Sequence, residues 1–284
     1  MINKIAQPED ILTTAQKFYP GNFRDISESG FVDNLYLKAP RMPGVKEAIE
    51  NGKGQANVAE FASGTGRVGD ATRKVTGTGF NYHCIDIDKG QFGKEDWKSR
   101  IIGSVENVPL ANKTQDVVFM LNVPIPLSEV KNHLLKEGGL DDTKKGMLEM
   151  LENAIDAQYK LNLLEGARVL KDDGVMVVGG KYMLQTEVRM QKNIEDLPLK
   201  ITKLEVVDID EKVIPLWRKY GIDIENPTFM LVSMKKTKGD MQEAVDFYEQ
   251  VLYSSLEQLM RIGGKKEGKS MIEEVLEEMR KANA

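Results

Sequence analysis

A three-layer α/β fold on a mostly parallel sheet is the class this sequence predicts, and three observations predict it. Short apolar runs alternate with stretches of helical period through most of the chain, and such alternation argues for parallel strands covered on both faces. The run Val58-Ala59-Glu60-Phe61 ends in a turn of very small residues, Ala62-Ser63-Gly64-Thr65-Gly66, before a helix begins. A second apolar run, from Asn81, ends at Asp86, 20 positions after Gly66.

The elements follow in order. Residues 1–50 read as helices and loops that precede the first strand. Strands are predicted near 57–61, 81–86, 100–103, 115–121 and 175–180, with helices between most of them. Between Leu121 and Val175 the chain is longer than a crossover requires. Gly138-Gly139 breaks that stretch, and Thr143 to Leu170 then reads as one long helix, with Met147, Leu151, Ala154 and Gln158 on its inner stripe. Gly174 is the expected helix stop before the fifth strand. Met183 to Gln191 suggests a helix, and 201–208 and 229–234 two closing strands. Helices at 241–259 and 271–279 end the chain. The expected organisation is an N-terminal helical segment (1–50), a ligand-binding sheet domain (51–238) with an insertion near 125–165, and C-terminal helices (239–284).

The turn carries the chemistry. Small residues at 62, 63, 64 and 66 let the backbone turn sharply and let a ligand approach the main chain. The helix that follows offers unpaired N–H groups, so a nucleotide-like ligand is implied. Asp86 suits a ribose, because a carboxylate accepts from both hydroxyls of a vicinal diol. Asp88 is its rival on the same strand face.

The spacing Glu60-x-Ala62-x-Gly64-x-Gly66 resembles motif I of the class I S-adenosylmethionine-dependent methyltransferases, commonly Asp/Glu-x-Gly-x-Gly-x-Gly. Ile85-Asp86-Ile87 is similar to that family's end of strand two. Gly103-Ser104-Val105-Glu106-Asn107-Val108-Pro109-Leu110 resembles its segment after strand three, and Ala167-Arg168-Val169-Leu170-Lys171 its approach to strand five. The resemblance implies a Rossmann-like seven-stranded sheet whose last strand runs antiparallel between strands five and six. It implies S-adenosylmethionine as cofactor, with Glu60, Ala62, Gly64, Gly66, Asp86, Ile87, Ser104, Val105 and Asn122 around it. By the same resemblance Ile87 would pack on the adenine. Ser104 stands where the family has an acid, so backbone groups of Val105 would carry more of the adenine contact. Glu106 is expected as an exposed charge.

Composition narrows the partners. The formal net charge is −5 and the sequence pI about 5.4, without the basic footprint usual in nucleic-acid binders. Lys235, Lys236 and Lys238 cluster, as do Lys265 and Lys266, and read as solvated turns. The single cysteine, Cys84, excludes an internal disulfide, fits a reducing compartment and reads as core. Met1 to Phe18 has no signal-type apolar core and no run is long enough to span a bilayer, so a cytoplasmic location is the expectation.

The implied reaction is in-line methyl transfer to a small-molecule acceptor, which asks mainly for alignment and exclusion of water. His83 in strand two reads as structural and His133 in the insertion as a possible base, and no metal-type spacing occurs. Asn122-Val123-Pro124-Ile125 is similar to the Asn-Pro-Pro-aromatic site of amino methyltransferases, with Val123 and Ile125 departing from it. A nucleic-acid amino methyltransferase using Asn122, and a non-catalytic cofactor binder of the same fold, are therefore the alternatives. The insertion reads as a lid over the acceptor or a plain hairpin. The C-terminal helices read as packing on the sheet domain, a lid, or a homodimer contact.

Overall fold

The computed structural model describes residues 33–87, 89–92, 97–121, 123, 127–136, 142–180, 194–208, 228–237 and 241–262. Its strands are β1 (Asn57–Phe61), β2 (Asn81–Asp86), β3 (Lys98–Ile102), β4 (Gln115–Leu121), β5 (Leu170–Gly180), β6 (Leu199–Asp208) and β7 (Thr228–Lys236). They form one sheet in the order β3-β2-β1-β4-β5-β7-β6. The pairs among β1 to β5 are parallel, whereas β7 runs antiparallel to both β5 and β6. This is the expected seven-stranded sheet with an antiparallel last strand.

The chain divides into two compact units. The sheet unit comprises residues 22–123 and 162–241. Before β1 it carries helices α1 (Asp33–Lys38) and α2 (Val45–Asn51), and after β1 helix α3 (Arg67–Thr76). Period-2 alternation sorts the strand residues onto two faces. Val58, Tyr82, Cys84, Val117, Phe119, Val175 and Val177 join a buried cluster with Leu35, Val45, Ile49 and Val68 of the helices. Ala59, Phe61, Ile85, Val118, Met120 and Met176 are buried on the other face. There the end of the long helix α5 (Asp142–Val169) lies so close that a Cβ on Gly166 would meet Met176 Sδ at 2.7 Å and Met120 Sδ at 2.9 Å. Only glycine permits that approach.

The helical unit comprises residues 1–21, 124–161 and 242–284. Its described parts are α4 (Leu127–Lys136), the first two thirds of α5, and α6 (Met241–Ile262). Leu127, Val130 and Leu134 of α4 are buried, as are Met147, Leu151 and Ala154 of α5 and Tyr248, Leu252, Leu256 and Leu259 of α6. Lys131 pairs with Glu152 at 2.7 Å, and Lys160 donates to the Tyr248 hydroxyl at 2.8 Å.

Three expectations are corrected. Helix α5 ends at Val169, within one residue of the expected Leu170, but β5 begins at Leu170 rather than at 175, because the chain turns extended there to pair with Gln115 and Gly174 falls inside the strand. Register then jumps to Val117↔Val175, which bulges residues 171–174 outward. Gly174 sits in that bulge, where a Cβ would meet Leu170 Cδ1 at 2.7 Å. Second, β3 begins at Lys98, two residues earlier than expected. Third, Lys235 and Lys236 end β7 rather than form a turn, and the half-buried Lys236 donates to the Leu170 carbonyl at 3.3 Å. Lys238, Lys265, Lys266, Gly138, Gly139 and the expected helices at 183–191 and 271–279 lie outside the described residues.

Candidate functional site

The turn between β1 and α3 is built by positive-φ backbone. Ala62, Gly64 and Gly66 have φ of +52°, +50° and +72°. The two glycines differ in surroundings. A Cβ on Gly66 would meet Cys84 Sγ at 2.7 Å and Lys98 Cδ at 3.2 Å, so this glycine is required by packing. A Cβ on Gly64 would meet nothing within 4 Å, so this glycine leaves its main chain open. Ala62 accepts the left-handed conformation at a cost of about 1 kcal/mol.

Parallel pairing of β1 with β2 sets Phe61 beside Ile85, so the turn and the acid that ends β2 emerge side by side. The Ser63 amide donates to the Ile85 carbonyl at 3.0 Å, and the Gly64 amide donates to Asp86 Oδ2 at 2.9 Å. Asp86 thus already braces the turn with one oxygen. Beyond it Ile87 is 62% exposed, as is Ile102 at the end of β3. Both isoleucines stand at the carboxyl edge of adjacent strands, where open α/β sheets bind ligands.

Glu60 is 2% exposed and accepts a hydrogen bond from the Tyr82 hydroxyl. Burial pushes its carboxyl up to about 8, against the opposing Tyr82 hydrogen bond and the Lys98 charge. Lys98, its side chain 2% exposed, donates to Asp70 Oδ2 at 2.8 Å and to the Thr65 carbonyl at 3.3 Å. One buried ammonium therefore ties the turn to the first turns of α3.

The segment after β3 is held from a distance. Ser104 pairs with Asn107, and its Oγ accepts from the Glu106 amide at 3.3 Å. Val105 is half-buried and Glu106 exposed. Glu165 of α5 accepts from the Val108 amide at 2.7 Å, while Arg168 donates to the carbonyls of Val108 and Leu110 at 2.8 and 2.9 Å. The Arg168-Glu165 pair near the end of α5 thereby anchors the chain from Val108 to Leu110, just after the Ser104 turn.

No family model matches the chain, and no curated protein matches it. Solved structures do. A SAM-dependent methyltransferase from Leishmania major is 12% identical, with 81% of this chain and 85% of that one covered and a TM-score of 0.45. A SAM-dependent methyltransferase from Aquifex aeolicus is 12% identical, with 82% and 100% covered and a TM-score of 0.38. A geranyl diphosphate methyltransferase in complex with SAM is 10% identical, with 77% and 92% covered and a TM-score of 0.41. The strand order, with β7 inserted antiparallel between β5 and β6, decides the architecture. The fold is the Rossmann-like seven-stranded sheet that the resemblance implied.

Within this sheet the structure gathers Glu60, Ala62, Gly64, Gly66 and Asp86 around one turn, with Ile87 following Asp86. Ser104 and Val105 lie past β3, two strands from β1. Asn122, Asp88, Pro124 and Ile125 lie outside the described residues. His83 is half-buried in β2, where burial lowers its pKa, and His133 belongs to α4. Cys84 is buried, its thiol pushed up to about 12 by burial foremost. Sequence reasoning missed Tyr82, Lys98 and Asp70. The Tyr82 partnership was open to the alternation rule, since Val58↔Tyr82 and Glu60↔Cys84 put Tyr82 and Glu60 on one face. Nothing local pairs Lys98 with Asp70, 28 positions before it. Among the described residues no helix is long and apolar enough to cross a membrane, and no three His, Cys, Asp or Glu side chains group as a metal site.

Proposed function

We propose that the chain is an S-adenosylmethionine-dependent methyltransferase acting on a small-molecule acceptor by in-line transfer. The observation that carries this reading is the cradle at Gly64: a main chain open to approach, at the carboxyl edge of the sheet, braced by Asp86 and bordered by exposed Ile87. A buried Thr65 Oγ1 without a hydrogen-bond partner in the same turn fits a site that a polar ligand completes.

When bound, the cofactor would supply a methyl group already activated on a sulfonium. The residues then have binding and alignment left to do. Ala62, Gly64 and Gly66 would present backbone to it, and Glu60 would support that turn through Tyr82. Asp86 would accept from ribose hydroxyls while holding the Gly64 amide. Ile87 would cover one side of the adenine, with Ser104 and Val105 at its edge and Asn122 between cofactor and acceptor. The acidic balance of the chain supports a small acceptor over nucleic acid. In this reading residues 51–238 form the cofactor-binding domain between helical segments 1–50 and 239–284, with an insertion near 125–165, in a cytoplasmic protein.

Calorimetry with S-adenosylhomocysteine tests the reading. The intact protein is expected to bind, and Asp86→Ala to bind about tenfold or more weakly, the loss of a charge-assisted hydrogen bond. Failure of the intact protein to bind overturns it.

A further inference from the structure

A groove of about 640 Å³ runs between α1 and α3, away from the Gly64 cradle in that none of the cradle's residues lines it. Its volume is that of a small-molecule site. Among the described residues, Arg67, Arg73 and Lys74 of α3 line it together with the acid Asp70. Asp70 is engaged by the buried Lys98 at 2.8 Å, so it offers the groove little negative charge of its own. The Arg73 guanidinium lies 3.5 Å over the Trp97 ring centroid, which fixes the cation in place without neutralising it. Leu37, 43% exposed, and Ala71 add apolar lining. The chain as a whole carries −5, so this cationic concavity runs against its own background.

We propose that this groove binds a small organic anion, a phosphate or carboxylate on a compact apolar body, at a site separate from the cofactor cradle. Arg73 and Lys74 hold the anionic group, and Leu37 and Ala71 take the body. The inference stands apart from the methyltransferase reading, because neither residue belongs to the cradle.

Trp97 is the natural reporter. In a full-length Trp217→Phe background, fluorescence is titrated with phenyl phosphate, phthalate and the uncharged benzyl alcohol. Saturable binding of phenyl phosphate or phthalate is expected, weakening as ionic strength rises; whichever binds tighter names the anionic group. Arg73→Gln/Lys74→Gln should weaken it about tenfold or more. Lys74→Gln alone, which leaves the Trp97 stack intact, should weaken it about threefold, a loss in the range of one exposed charge contact. S-adenosylhomocysteine affinity should be unchanged in both variants. No saturable binding of either anion, equal binding of benzyl alcohol, or binding indifferent to Lys74→Gln overturns the proposal.

Discussion

Replacing Glu60 with Gln should remove a pH dependence from the stability of the fold. In the native chain Glu60 is 2% exposed, and burial holds its pKa at about 8, against an ordinary 4.5. Below 4.5 both folded and unfolded states carry the proton, and the group costs nothing. Between 4.5 and 8 the unfolded chain has released its proton while the folded chain keeps it, so stability falls as pH rises. The slope is about 1.4 kcal/mol per pH unit, which integrates over that interval to on the order of 5 kcal/mol lost by the time pH passes 8. Gln is the shape of the protonated acid, and its amide oxygen still accepts from the Tyr82 hydroxyl. Urea denaturation of both proteins across the pH 4.5 to 8 interval is the assay. The two should be nearly equal at its acid end, and Glu60→Gln should be more stable by a few kcal/mol at its basic end. Parallel profiles would refute the reasoning, since they would mean that Glu60 ionises in the folded state as readily as in the unfolded one.

The glycines of the turn should separate folding from binding. Gly66→Ala combines a left-handed φ with a Cβ 2.7 Å from Cys84 Sγ, and should cost about 2–4 kcal/mol in thermal or chemical unfolding. Gly64→Ala meets nothing within 4 Å and should cost only about 1 kcal/mol, yet weaken S-adenosylhomocysteine binding because the methyl fills the ligand's approach. Wild-type affinity in Gly64→Ala would remove the cradle from the site. Ala62→Gly relieves the φ of +52° and should raise stability by roughly 0.5–1 kcal/mol, read as a higher melting temperature.

Much of this was legible because it is local. The turn Ala62 to Gly66 could be read from residue size alone, and every strand but β5 was placed within two residues from apolar runs bounded by turn signals. Asp86 was found by its distance from Gly66, since a βαβ unit of ordinary length returns the next strand end to the turn's side. Gly174 misled because a glycine after a helical run is the usual stop signal. Here the helix ended next to the expected Leu170, and the pairing of Leu170 with Gln115 drew Gly174 into the strand instead, a tertiary contact that no local pattern carries.

By itself the sequence determined an α/β chain of alternating strands and helices, a sharp small-residue turn after the first strand, and an acid at the end of the second. Those follow from side-chain size, periodicity and backbone freedom, which act within a few residues. Only the tertiary structure decided that Asp86 braces the Gly64 amide, that Lys98 is buried against Asp70 and Thr65, and that Glu60 keeps its proton up to about 8. Each depends on which strands adjoin and how deeply they are covered, because burial and Coulomb interaction are set by neighbours in space rather than along the chain.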